Sequence, residues 1–165
     1  MYCDQPLIAA TLVAELVVES CAERINTFDS RLNDLEEAMG QHEYINRPLG
    51  NPLQLDDLGF ITTTRRLNFI SRMLGLDTAR LEGVRLALNK ILDETKNITK
   101  EISVGSGGPE SIAALTAASN SSYMIDEIVA YLLNSCQHLL LRVEYETKRT
   151  QTQIAVVRLF PSDLR

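Results

Sequence analysis

The chain contains no tryptophan, and aromatic residues make up only 5% of its 165 positions. A core built from it must therefore be aliphatic, filled by Leu, Ile, Val and Ala. Cysteine is scarce and scattered. Cys3, Cys21 and Cys136 form no CxxC pair, which argues against a disulfide framework and reads as buried thiols in a reducing compartment. Long hydrophobic runs are missing as well. The most apolar stretch, Pro6 to Val18, is broken by Thr11 and Glu15 and falls short of the roughly 20 residues that a membrane span requires. Excess positive charge is also absent. A net charge of -6 argues against general nucleic-acid binding, which needs a basic footprint. Nothing at the N-terminus reads as a secretory leader, because Asp4, Glu15 and Glu19 interrupt the apolar stretch. Without one, the sequons at Asn97-Ile98-Thr99 and Asn120-Ser121-Ser122 read as chance matches.

What the chain does have is helix-forming composition and a 3.5-residue period. Cys21, Ile25, Phe28, Leu32, Leu35 and Met39 recur at alternating four- and three-residue steps, the spacing of helices that pack along their length. A longer series runs through Leu67, Ile70, Leu74, Asp77, Leu81, Val84, Leu88, Ile91, Thr95, Ile98 and Ile102. A third stripe is Ile125, Val129, Leu132, Cys136, Leu139 and Val143. These patterns predict helices over about 5–40, 56–103 and 110–160, with linkers at 41–55 and 104–109. The first linker holds Pro48, Gly50 and Pro52, which forbid a continuous helix. Its Tyr44, Ile45, Leu49 and Leu53 suggest an ordered connection. The second, Val104-Gly105-Ser106-Gly107-Gly108-Pro109, reads as a hairpin tip, with Pro109 or Ser111 opening the next helix. Asp56 or Asp57 is placed to cap the middle helix. Ala113 to Ser122 is poor in large residues and predicts loose or exposed first turns. Short connections between long helices imply antiparallel neighbours. The expected fold is all-α: one domain forming an elongated, antiparallel three-helix coiled-coil-like bundle.

Two polar positions interrupt the middle seam, Asp77 and Thr95. Asp77 is expected near a seam edge, paired with Arg72 or Arg80, rather than serving as a cation site. Gly75 and Gly83 are read as points of close helix approach. Glu23, Asp29, Asp34, Glu36 and Glu37 lie late in the first helix; Arg142, Lys148, Arg149, Arg158 and Arg165 lie late in the third. In an up-down-up bundle these groups sit side by side and help set register, each exposed pair contributing about 0–1 kcal/mol. The cluster Asp34, Glu36, Glu37 reads as a solvated face.

No catalytic constellation is present. Cys136 and His138 stand two residues apart, so on a helix they point to different sides. His42 and Glu43 lack further ligands for zinc. Gly105-Ser106-Gly107-Gly108 follows a helix and lacks the Lys-Ser/Thr ending of a phosphate loop. The chain is read as a non-enzyme.

Several phrases occur together and in order: Glu37-Ala38-Met39-Gly40-Gln41-His42-Glu43-Tyr44, then Asn46-Arg47-Pro48, Gly50-Asn51-Pro52-Leu53 and Thr64-Arg65-Arg66-Leu67-Asn68. The most specific is Lys148-Arg149-Thr150-Gln151-Thr152-Gln153, within a segment from Glu144 to Val157. Together they resemble the cytosolic helical region of fungal CorA-like magnesium and divalent-cation transporters, whose stalk helix leads into the first membrane span. The resemblance implies a stalk or regulatory region that lacks the pore. It also implies a homo-oligomer, pentameric in the family, and a possible link to Mg2+. It places Arg142, Lys148, Arg149 and Gln153 at the membrane-proximal end, where basic side chains suit anionic headgroups. On this reading the chain is cytoplasmic as given, and part of a membrane protein where the family's C-terminal spans follow. The family's Gly-Met-Asn signature does not occur here, and Pro161 breaks the helix where the family's continues. No cofactor-binding residue is assigned. The competing expectation is a free-standing helical-bundle interaction or adaptor protein.

Overall fold

A computed structural model of the chain describes residues 5–39, 59–104 and 109–159. The linker 41–55, Asp56, Asp57 and residues 105–108 lie outside them, as do the side chains of residues 101–121. All three elements are helices: α1 (Gln5–Ala38), α2 (Phe60–Val104) and α3 (Pro109–Leu159). Fold class and element order agree with the sequence reading. Pro109 opens α3, at a helix position whose amide has no partner in any case. α1 ends at Ala38 rather than residue 40, and Met39 N–H still donates to the Leu35 carbonyl at 2.9 Å.

The described start of α2 is Phe60, four residues later than expected, and its cap is Gly59. Gly59 adopts φ +60°, which only glycine takes without strain, and its carbonyl accepts from the amides of Thr62 (2.8 Å) and Thr63 (3.1 Å).

The helices contribute to two compact units. One comprises Met1–Cys21 and Arg80–Leu139; the other comprises Ala22–Ala79 and Leu140–Arg165. In the first, Ala14, Val18 and Cys21 of α1 are buried with Leu81, Leu88 and Ile91 of α2 and Ile125, Val129, Leu132, Cys136 and Leu139 of α3. Thr95 on the α2 seam places its hydroxyl 3.0 Å from Asp126 Oδ1, and 2.9 and 3.1 Å from the carbonyls of Leu92 and Ile91. One of these acceptors takes its proton, so the buried hydroxyl is satisfied. Cys21 and Cys136 are buried thiols rather than halves of a disulfide, and burial pushes the Cys136 thiol above its ordinary value. His138 is exposed, pointing away from the seam that holds Cys136.

In the second unit Ile25, Phe28, Leu32 and Leu35 pack with Leu67, Ile70 and Leu74, and with Val143 and Val157. Phe28 meets Phe69 edge-on, ring centroids 6.4 Å apart. α2 runs antiparallel to α1 here, as contacts between Arg24 and Asp77 and between Phe28 and Phe69 require. α3 runs parallel to α1, since Arg142 reaches Asn26 and Gln153 reaches Glu36.

Two expectations are corrected. Asp77 is fully buried on the seam rather than at its edge. Its carboxylate accepts from Arg24 of α1, with Nη2 2.7 Å and Nε 3.0 Å from Oδ1 and Nε 3.2 Å from Oδ2. A buried carboxylate needs such a partner, and the fork of an arginine meets both oxygens. Gly75 and Gly83 are not close-approach points, because a Cβ at either position would meet nothing within 4 Å. Both carry only the entropic penalty of glycine inside a helix. Gly83→Ala is therefore expected to stabilise the protein by about 0.5–1 kcal/mol in urea unfolding, whereas a loss of stability would show a close neighbour at that site.

Candidate functional site

The stripe that begins at Ile125 does not end at Val143. At the same four- and three-residue steps it continues through Glu146, Thr150, Gln153 and Val157, and all four are buried. The last turns of α3 thus present polar side chains to a packed seam. Thr150 satisfies itself by donating to the Glu146 carbonyl at 2.7 Å. Glu146 and Gln153 require partners from outside their own backbone, and Arg149 with α1 supplies them.

Arg149 sits beside this stripe with a side chain only 10% exposed. Its guanidinium grips Glu36 with two parallel hydrogen bonds, Nε to Oε1 at 2.7 Å and Nη2 to Oε2. Nη2 also donates to Asn33 Oδ1. Nη1 donates to Asp29 Oδ1 at 2.8 Å and to Glu146 Oε2 at 3.3 Å. Gln153 Nε2 donates to Glu36 Oε1 at 3.0 Å. Asp29, Asn33 and Glu36 recur at four- and three-residue steps, so one flank of α1 carries all three acceptors. The result is a clamp between α1 and α3 in which one cation meets three carboxylates.

The electrostatics follow from that imbalance. Hydrogen bonding to Glu36 raises the Arg149 pKa further above its already high value, with attraction to Glu36 and Glu146 adding to it against the opposing effect of burial. The guanidinium is charged at every accessible pH. Glu146 is pushed the other way from an ordinary paired acid. Burial, then repulsion from Asp29, raises its pKa above 4.5, with Arg149 only partly offsetting them. One acceptor is left over: Gln153 Oε1 is buried with no hydrogen-bond partner. Such an orphan costs about 1–3 kcal/mol. Thr64 Oγ1 is the other buried side-chain atom without a hydrogen-bond partner among the described residues.

The four residues singled out in the sequence separate into different environments. Arg149 and Gln153 converge on Glu36. Arg142 donates to Asn26 Oδ1 at 2.8 Å from a more exposed position. Lys148 is exposed and pairs with Glu144 of its own helix at 2.7 Å, an interaction that lowers the Glu144 pKa. The charged ends of α1 and α3 do meet, but through a buried network rather than exposed pairs. The cluster Asp34, Glu36, Glu37 is likewise not one solvated face: Asp34 and Glu37 are exposed, while Glu36 is the centre of the clamp. Glu36 was read only as part of a charged surface, and the roles of Glu146 and Thr150 were missed because a hydrophobic pattern stops being counted once its members turn polar. Continuing the period past Val143 would have found the latter two.

Chemically the clamp holds no nucleophile, and its acids are turned toward a resident guanidinium. Among the described residues no group of three or more His, Cys, Asp or Glu is arranged to hold a metal ion. No described helix is long and apolar enough to cross a membrane. What the clamp can do is lock two helices in register and take up a proton at Glu146. Comparison with protein-family models, characterised proteins and solved structures finds no significant match to this chain.

The proton linkage gives a signed prediction. A carboxyl whose pKa is raised on folding adds stability at low pH and loses that contribution as pH rises through the folded value. Stability attributable to Glu146 should therefore decline as pH climbs from about 4.5 toward neutrality. Glu146→Gln should remove this slope and be at least as stable as the parent at pH 7, read by urea midpoints across the range. A substantial loss of stability at pH 7 would show that the ionised carboxylate is needed.

Proposed function

We propose that this chain is the cytosolic stalk or regulatory helical region of a CorA-like magnesium or divalent-cation transporter, acting in assembly and gating and carrying no pore. On this reading the 165 residues form a single helical domain of a homo-oligomer. The membrane-proximal end carries Arg142, Lys148, Arg149 and Gln153, close to anionic headgroups. The observation that carries the reading joins sequence to geometry. The phrase most specific to the resemblance, Lys148 to Gln153, contains Arg149 and Gln153, the α3 donors of the clamp, and the buried Thr150 between them. Those residue types are what the α1–α3 junction requires, and a surface helix would not need them. A stalk that transmits movement needs helices locked in register, and a buried multidentate arginine supports that.

A second reading, a free-standing helical interaction module, is favoured by a different observation. Ile8 and Leu12 stand three heptads before Asp29 and Asn33, and Ile128 stands three heptads before Arg149. Where one unit carries its clamp, the equivalent flank of the other carries apolar side chains: Ile8 44%, Leu12 55% and Ile128 42% exposed. Leu16, Met124 and Tyr131 extend this exposed set. Apolar surface of that extent favours a partner.

Light scattering on the purified chain, with and without millimolar magnesium, separates the two. The stalk proposal expects a magnesium-dependent shift toward a pentamer. A monomer under both conditions contradicts it and favours the interaction module.

A further inference from the structure

We propose that the cleft between the end of α1 and the start of α2 binds a phosphate monoester carried on an apolar or aromatic body. The cleft, of about 590 Å3, lies within the second unit. That size falls in the range of small-ligand pockets, about 300–1,000 Å3. Three arginines line it: Arg31 from α1, and Arg65 and Arg66 from α2. Helical spacing explains the convergence. Residues 31, 35 and 38 share one face of α1, and residues 62, 65, 66 and 69 share the opposing face of α2.

The chemistry of the lining points to the ligand. Among the described residues Arg24, Arg85, Lys148 and Arg149 each have an acid within 4 Å, whereas no ion pair involves Arg31, Arg65 or Arg66. In a chain of net charge -6, three cations around one opening are a local reversal of sign. Guanidinium groups are weakly hydrated and present planar forks that match the oxygens of a phosphate. The base of the cleft is apolar: Leu35 and Ile70 are buried, and Phe69, held edge-on by Phe28, is 43% exposed. This combination suits a molecule with an anionic end and an apolar or aromatic remainder. Asp34 also lines the cleft and opposes an anion, so it lowers the affinity the arginines would otherwise give. The inference is independent of the stalk proposal.

Such a phosphate can belong to a soluble nucleotide or to a lipid headgroup. Calorimetric titration of the whole chain with AMP tests the first source. Co-sedimentation with phosphatidylcholine vesicles containing phosphatidic acid tests the second. Binding in either arm should weaken about tenfold or more in Arg65→Gln/Arg66→Gln, as expected on loss of charge-assisted hydrogen bonds. It should tighten in Asp34→Asn and stay unchanged in Lys90→Gln, whose side chain is exposed and lies 20 residues beyond Ile70 on α2, about 30 Å along the helix. All three positions in the first two variants are exposed, so unchanged circular dichroism and melting should confirm intact folds. Binding in one arm only assigns the source. Binding in neither arm, or binding that survives the double substitution, overturns the proposal.

Discussion

A buried guanidinium cannot be left unpaired, and in this protein that requirement dictates how two helices meet. Arg149 lies where α3 packs on α1, with its donors directed at Glu36, Asn33, Asp29 and Glu146. Hydrophobic seams tolerate small slips, because one aliphatic side chain fills a neighbour's place at modest cost. A fork bound to a particular carboxylate does not. Sliding α3 by one turn past α1 would bury at least one charge without a partner, which costs several kcal/mol. Arg24 on Asp77 plays the same part between α1 and α2. The aliphatic seam makes the second unit pack, and the two arginines select the register in which it packs.

The clamp is also over-supplied with acid, and that distinguishes it from a simple structural ion pair. Three carboxylates around one cation leave negative charge in a place with little water, and burial together with repulsion from Asp29 raises the Glu146 pKa. Gln153 adds an acceptor without a donor. A junction built only for stability would more economically use aliphatic residues at Glu146, Thr150 and Gln153. Polarity of this kind favours a defined geometry over maximal stability.

Most of the fold could be read from the residues. The 3.5-residue period found the three helices and nearly every buried side chain from Cys21 to Val143, including the polar seam members Asp77 and Thr95. It did so because periodicity is a local property of each helix. The misses concern what periodicity does not encode. Arg24 and Asp77 are 53 positions apart, so their pairing depends on the register between helices, which neither segment contains alone. Glu36 looked like part of an acidic surface run until α3 was set against it. Gly75 and Gly83 looked like contact points because glycine has two helical uses, close approach and simple tolerance, and only neighbouring atoms distinguish them. The first turn of α2 depended on a positive φ at Gly59, which a preceding pair of aspartates concealed. Of the clamp, the sequence set the acids of late α1, Asp29 and Glu36 among them, beside the basic end of α3, but it named Arg149 and Gln153 only as membrane-proximal residues and paired neither with a particular acceptor.

The account rests on Arg149 and Glu36 acting as a coupled, buried pair that sets the α1–α3 junction. The most direct measurement is a double-mutant cycle with Arg149→Met and Glu36→Leu, each variant and the pair unfolded in urea at pH 7. The account predicts that Arg149→Met alone costs about 3–5 kcal/mol, and that adding Glu36→Leu recovers a large part of that loss. Single variants costing less than about 1 kcal/mol each, with effects that simply add, would mark the pair as an ordinary surface contact and contradict the account.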